Sequence, residues 1–190
     1  MSHNAFERAK AFTLSDRIEG GYGNDPDDPG GPTNRGVSWR AVVALDVDKD
    51  GFLDFDLDHD GDVDAEDIKA LDQHPDLVDE FYRQRYWTPM RASEMPWPWY
   101  LLAFDAAVNH GPAAATLMLQ RALRVIADGI PGLNTVAATR GGDGEPVRRF
   151  WLERADLYYR LSVKRGPSMY RGWMGRLFDL EARVCEGEFA

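Results

Sequence analysis

The chain has 190 residues, 44% of them hydrophobic and 28% charged, enough for one domain with a full core or two small packed lobes. No apolar run approaches the ~20 residues of a membrane span, the N-terminus has no basic region leading into an apolar stretch, and the lone Cys185 excludes an internal disulfide. The net charge of −10 is local: residues 46–67 hold ten Asp, one Glu and one Lys, and the other residues carry 21 acids and 21 bases, so nothing outside that segment has the basic excess of a nucleic-acid binder.

Asn4 with Glu7 has the spacing of a capping box, and a first helix is expected to run to about Glu19. Gly20, Gly21 and Gly23 break it, and residues 20–36, rich in Gly, Pro, Asn and Asp, read as a loop or short hairpin. Ser38 is placed to cap a short helix through Ala44, with Trp39, Val42 and Val43 inward. The acidic segment follows. Helices are then expected near 64–72, 76–86 and 99–109, the last entered through the turn Pro96-Trp97-Pro98-Trp99. Pro112 opens a helix over 112–127, with Leu117, Leu119, Leu123 and Ile126 for burial. Gly129–Asn134 reads as a turn, and amphipathic helices fit 145–164 and 168–186. No strand of convincing length is present, so the expected fold class is mainly α, with at most a small hairpin.

The acidic segment contains a ten-residue internal repeat. Asp46, Asp48, Asp50, Gly51 and Asp54 recur as Asp56, Asp58, Asp60, Gly61 and Asp64. Calcium takes six to eight hard oxygens from a loop that wraps it. Carboxylates at positions 1, 3 and 5, a glycine at position 6, the position-7 carbonyl, position 9 and a carboxylate at position 12 supply that set. The second loop meets every step, through Asp56, Asp58, Asp60, the carbonyl of Asp62, Asp64 and Asp67. With Asp rather than Glu at the end it resembles dockerin or thrombospondin type-3 loops. The first loop offers Asp46, Asp48, Asp50, the carbonyl of Phe52 and Asp54, but Leu57 stands at position 12, so Asp54 or the shared Asp56 has to compensate. One calcium ion is expected in the second loop and another in the first, as a structural staple rather than a sensor.

The other concentration of chemistry is Glu19-Gly-Gly-Tyr-Gly-Asn-Asp-Pro-Asp-Asp-Pro-Gly-Gly-Pro-Thr-Asn-Arg-Gly36. Glycoside cleavage needs a carboxyl that keeps its proton beside the leaving oxygen, and a second polar group that activates water or stabilises the oxocarbenium-like transition state. Glu19 suits the acid. Asp28 follows after eight residues and Thr33 after four more, one residue short of the spacing in phage-type lysozymes. Tyr22, Asn24 and Asp25 are expected to touch substrate.

Glu19-Gly20-Gly21-Tyr22, Asn24-Asp25-Pro26 and Asp28-Pro29-Gly30-Gly31 with Thr33 and Gly36 closely resemble glycoside hydrolase family 108, phage and bacterial N-acetylmuramidases with a lysozyme-like helical fold. The likeness continues at Tyr86-Trp87, Phe104-Asp105, Ala107-Val108-Asn109 and Gly111. It reappears at Leu119-Gln120-Arg121-Ala122-Leu123, Asp128-Gly129 and Gly172-Trp173, which look like the peptidoglycan-binding region completing such enzymes. It spans nearly the whole chain except 46–67.

The resemblance implies Glu19 as catalytic acid and peptidoglycan as substrate, cut between N-acetylmuramic acid and N-acetylglucosamine. Asn109 is a candidate groove residue, although C-capping before Gly111 also explains it. Residues 1–90 are expected to form the catalytic region, with 46–67 inserted, and 91–190 a helical peptidoglycan-binding-like region. A monomer is expected, made in the bacterial cytoplasm and brought to the wall by holin-type or other release. A lytic transglycosylase and a non-enzymatic, calcium-dependent wall-binding protein remain the alternatives.

Overall fold

A computed structural model describes residues 2–15, 21–25, 30–46, 49–142, 144–166 and 168–187. The chain divides into two compact units, one of residues 14–83 and one of residues 1–13 with 84–190. It is mainly helical, as the periodicity predicts.

The unit of residues 14–83 is built on a minimal sheet. Strands β1 (Thr33–Asn34) and β2 (Val37–Ser38) pair antiparallel, Thr33 opposite Ser38 and Asn34 opposite Val37. The connecting pair Arg35 and Gly36 has φ of 50° and 72°, the two positive values that a tight two-residue hairpin loop demands. Among the described residues, the unit also has three short helices, α2 (Trp39–Val42), α3 (Ala65–Ala70) and α4 (Pro75–Tyr82), with a 3-10 turn over Leu71–Gln73.

Side chains from one element bond the backbone of another throughout this unit. The buried Asn34 amide donates to the carbonyls of Ile68 (3.1 Å) and Lys69 (3.3 Å), and the Tyr82 hydroxyl donates to Arg35 O at 2.8 Å. Val37, Val42, Phe55, Val63, Ile68, Leu71, Val78 and Phe81 fill the core, with the Phe55 and Phe81 rings edge-to-face at 6.0 Å.

In the other unit, α1 (Ser2–Thr13), α5 (Trp99–His110), α6 (Pro112–Leu123), α7 (Leu133–Thr139), α8 (Gly144–Arg165) and α9 (Ser168–Glu186) pack in a chain of contacts: α1 on α5, α5 on α6, α6 on α7 and α8, and α8 on α9. Helix α5 is buried from Trp99 through Ala107, as expected of a helix apolar on every side. Gly111 ends it at φ 79°, returning its N–H to Ala107 O at 2.8 Å, and Pro112 starts α6.

Some boundaries differ from the sequence expectation. Helix α1 begins at Ser2, which puts Asn4 inside it, and Glu7 pairs instead with Lys10 at 2.7 Å. The helix stops at Thr13, short of the expected Glu19, and residues 16–20 lie outside the described set. Ser38 occupies the N-cap of α2 but its side chain makes no cap bond. Helix α6 stops at Leu123 because Arg124 turns left-handed, φ 58°, and this leaves Ile126 84% exposed instead of buried. Helix α7 has no counterpart in the sequence reading.

Candidate functional site

Backbone pairing ties the described part of the glycine-rich segment to β1. Gly23 N–H donates to Thr33 O at 2.7 Å, and Thr33 N–H returns to Gly23 O at 2.8 Å. Thr33 is thus paired on one side with Gly23 and on the other with Ser38. Tyr22 and Asn24 flank the bridged Gly23, and Tyr22, Asn24 and Asp25 are all exposed. The Thr33 hydroxyl bonds back to Gly31 O at 3.2 Å. Glu19 and Asp28 lie outside the described residues. Asn109 falls in the other unit, on the last turn of α5, where its amide donates to Asp105 O at 2.7 Å.

The acidic segment repeats in conformation as well as in sequence. Position 4 is left-handed in both loops, Lys49 at φ 62° and His59 at φ 63°, and position 6 is a glycine at φ 94° (Gly51) and 102° (Gly61), values that only glycine adopts easily. In each loop the position-1 carboxylate accepts the glycine N–H: Gly51 to Asp46 at 3.1 Å and Gly61 to Asp56 at 3.0 Å. Asp50 accepts from Phe52 N–H, Asp58 from Asp60 N–H and Asp60 from Asp62 N–H. One carboxylate oxygen from each of Asp56, Asp58 and Asp60 falls within 4.8 Å of the other two. Asp46 Oδ1 is buried with no hydrogen-bond partner among the described residues. Asp54 donates its N–H to Leu45 O at 2.9 Å, Phe52 is 76% exposed, and Asp48 lies outside the described residues.

Asp64 and Asp67 close the second loop. Asp64 caps α3, its carboxylate accepting Glu66 N–H at 2.7 Å. Asp67, only 3% exposed, accepts Leu57 N–H at 2.7 Å on one oxygen and Asp64 N–H at 2.8 Å on the other. Each carboxylate oxygen has two acceptor positions, so both can still face a cation. Partial desolvation and the charge of Asp60 raise the Asp58 carboxyl above its ordinary range, and Asp60 foremost raises Asp62.

Sequence reasoning missed a charged cluster in the helical unit. Asp105, fully buried in α5, accepts Arg154 Nη1 from α8 at 2.6 Å and Arg176 Nη2 from α9 at 2.7 Å. Arg154 also donates to the Tyr158 hydroxyl at 2.9 Å, and Arg176 reaches Thr13 O at 3.4 Å. Burial works to raise Asp105, but the two guanidinium groups outweigh it and hold the carboxyl below its usual range. The signal available in the sequence was a single acid in an otherwise apolar helix, since such a charge is buried only when paired.

The structure of Brucella abortus SagA is similar to this chain at TM-score 0.70 and 25% identity, covering 97% of this chain and 96% of that one. No curated protein matches the chain. The model of the family described as Glycosyl hydrolase 108 matches residues 12–111, which takes in the glycine-rich segment, the acidic loops and all of α5. More than half of the sequence is matched, so the chain belongs to glycosyl hydrolase family 108, a family of peptidoglycan-cleaving glycoside hydrolases.

Proposed function

We propose that the protein is an N-acetylmuramidase that hydrolyses the bond between N-acetylmuramic acid and N-acetylglucosamine, with Glu19 as the general acid. The family match across the Glu19–Gly36 segment carries this reading. Protonated Glu19 donates to the glycosidic oxygen. Asp28, with Thr33, steers water or stabilises the developing positive charge on the sugar. Tyr22, Asn24 and Asp25 contact the strand, and the Gly23–Thr33 bridge supports the reading because it keeps their segment next to Thr33. Residues 91–190, which include Asn109, contribute further wall contacts.

Calcium is the second part of the proposal. Asp56, Asp58, Asp60, Asp64, Asp67 and the Asp62 carbonyl would hold one ion. Asp46, Asp48, Asp50, Asp54 and the Phe52 carbonyl, with the shared Asp56, would hold another. The fit rests on the three converging oxygens of the second loop and on the orphaned Asp46 oxygen of the first. Bound calcium supplies positive charge that neutralises the cluster and ties the loops together.

Product analysis on purified peptidoglycan tests the reaction. Wild type is expected to release muropeptides with reducing ends, and Glu19→Gln to lose at least about 10²-fold in rate while melting normally. Near-normal lysis by the variant removes Glu19 from the chemistry. Anhydro ends would instead indicate transfer to the muramic 6-hydroxyl, and binding without any release would indicate a wall-binding protein.

A further inference from the structure

The unit of residues 14–83 contains a depression of about 510 Å³ lined by Gly31, Pro32, Trp39, Val43, Val63, Ala65, Asp62 and Asp64. Trp87 and Trp99 of the other unit are 4% and 0% exposed and serve packing. Trp39 differs: it is half-buried and lines the depression.

The ring is fixed at two edges. Its Nε1–H donates to the carbonyl of Val63 in the second acidic loop. At the other edge the backbone of Gly31 passes so close that an added Cβ would stand 3.3 Å from Trp39 Cε3, and Gly31 also has φ 73°. An immobilised indole loses little freedom when a ligand settles on it. The volume lies within the range of small-ligand sites, about 300–1,000 Å³, and such sites combine an apolar or aromatic surface with a few placed polar groups.

We propose that this depression is a subsite for one sugar ring of the substrate glycan. The assignment rests on the glycosidase reading above and extends it to a named platform. A pyranose presents C–H bonds on its faces and hydroxyls around its rim. Trp39, with Pro32, Val43 and Val63 beside it, receives the apolar face. The exposed carboxylate of Asp62 accepts the hydroxyls. Position along the chain supports this occupant: Gly31 and Pro32 lead directly into Thr33, and Trp39 N–H bonds Pro32 O at 2.8 Å. The platform therefore belongs to the same short piece of backbone as the candidate catalytic segment.

The test uses glycan strands freed of their stem peptides, at fixed calcium. In full-length Glu19→Gln protein, which binds without cutting, the indole N–H resonance of Trp39 is expected to shift saturably as strands are added. With Glu19 intact, Trp39→Leu and Asp62→Asn (which keeps the Asp62 carbonyl) are expected to raise KM about fivefold or more with kcat within about twofold, the pattern of lost uniform binding. An unmoved resonance on strands that sediment with the protein, together with unchanged KM in Asp62→Asn, overturns the subsite while leaving the glycosidase reading intact. If Trp39→Leu fails to fold, the resonance and Asp62→Asn decide. Wild type that neither binds nor cuts the strands defeats the glycosidase reading, and the subsite with it.

Discussion

Aspartates do opposite work in the two regions of this molecule. In residues 46–67 the carboxylates of Asp46, Asp50, Asp56, Asp58, Asp60 and Asp64 accept backbone N–H groups two to five residues away, and Asp67 accepts those of Asp64 and Leu57. Desolvation and then the charge of Asp60 raise Asp58, and Asp60 first of all raises Asp62. In the helical unit Asp105 is buried, yet its partners Arg154 and Arg176 lie 49 and 71 residues away in sequence. There the counter-charge is supplied within the fold. Under the calcium proposal, the acidic loops take theirs from a bound ion.

The sharpest way to break this contrast is to remove one internal counter-charge. Arg154→Met leaves Asp105 buried with only Arg176, and a loss of about 3–5 kcal/mol is expected, read as a lower denaturant midpoint. A loss below about 1 kcal/mol would mean that the buried cluster matters no more than a surface pair.

The next effect is pH dependence beside the same cluster. Burial, then Arg154, pushes His110 down to about 4, Arg176 adding to this and Asp105 opposing it. Its ring stands 5.2 Å from that of Tyr158, and its Nε2 has no partner among the described residues. The unfolded chain gains this proton near pH 6.5 and the folded chain only near 4. The stability contributed by neutral His110 is therefore full above pH ~6.5 and lost as pH falls to ~4, in total about 3 kcal/mol. Asp105 acts lower: its contribution is present above the ordinary carboxylate pKa of ~3.9 and disappears as pH falls through its depressed folded value. Urea midpoints measured from pH 7 to 4 should fall in wild type and flatten in His110→Phe. An equal slope in both assigns the acid sensitivity elsewhere.

On the other side of the contrast, calcium at a hundred times its dissociation constant should add about 2.7 kcal/mol, seen as a rise in melting temperature that chelator reverses. The smallest effect should come from Asp60→Asn. Without calcium it should change stability by no more than about 0.5 kcal/mol, and with calcium it should erase most of the rise. A melting temperature indifferent to both calcium and chelator removes the metal from the account.

The same division explains what could be read in advance. The Asp-x-Asp-x-Asp-Gly loops, the glycine-rich segment and the helix over 99–109 are contiguous patterns, and the two loops recur in matching backbone angles at Lys49, Gly51, His59 and Gly61. The Asp105 cluster joins three distant helices, and nothing local to Arg154 or Arg176 distinguishes them from surface arginines on amphipathic helices. Ile126 fits a helical stripe and is exposed only because Arg124 turns left-handed first. Trp39 reads as an inward residue from spacing alone, since the approach of Gly31 and the acceptor at Val63 are tertiary. Among the candidate site residues, Tyr22 and Asn24 flank a glycine bridged to Thr33, a pairing that spans only ten residues.

That pairing has a consequence for how the enzyme can be altered. Gly23 and Thr33 clasp each other through two backbone hydrogen bonds, so the chain between them is a loop closed at its base. Doubling such a loop costs only about 0.6 kcal/mol in closure entropy. Closure entropy therefore does not fix the length of that loop; the bonds from Arg40 N–H to Gly30 O and from Trp39 N–H to Pro32 O, and the proposed roles of Asn24, Asp25 and Asp28, do.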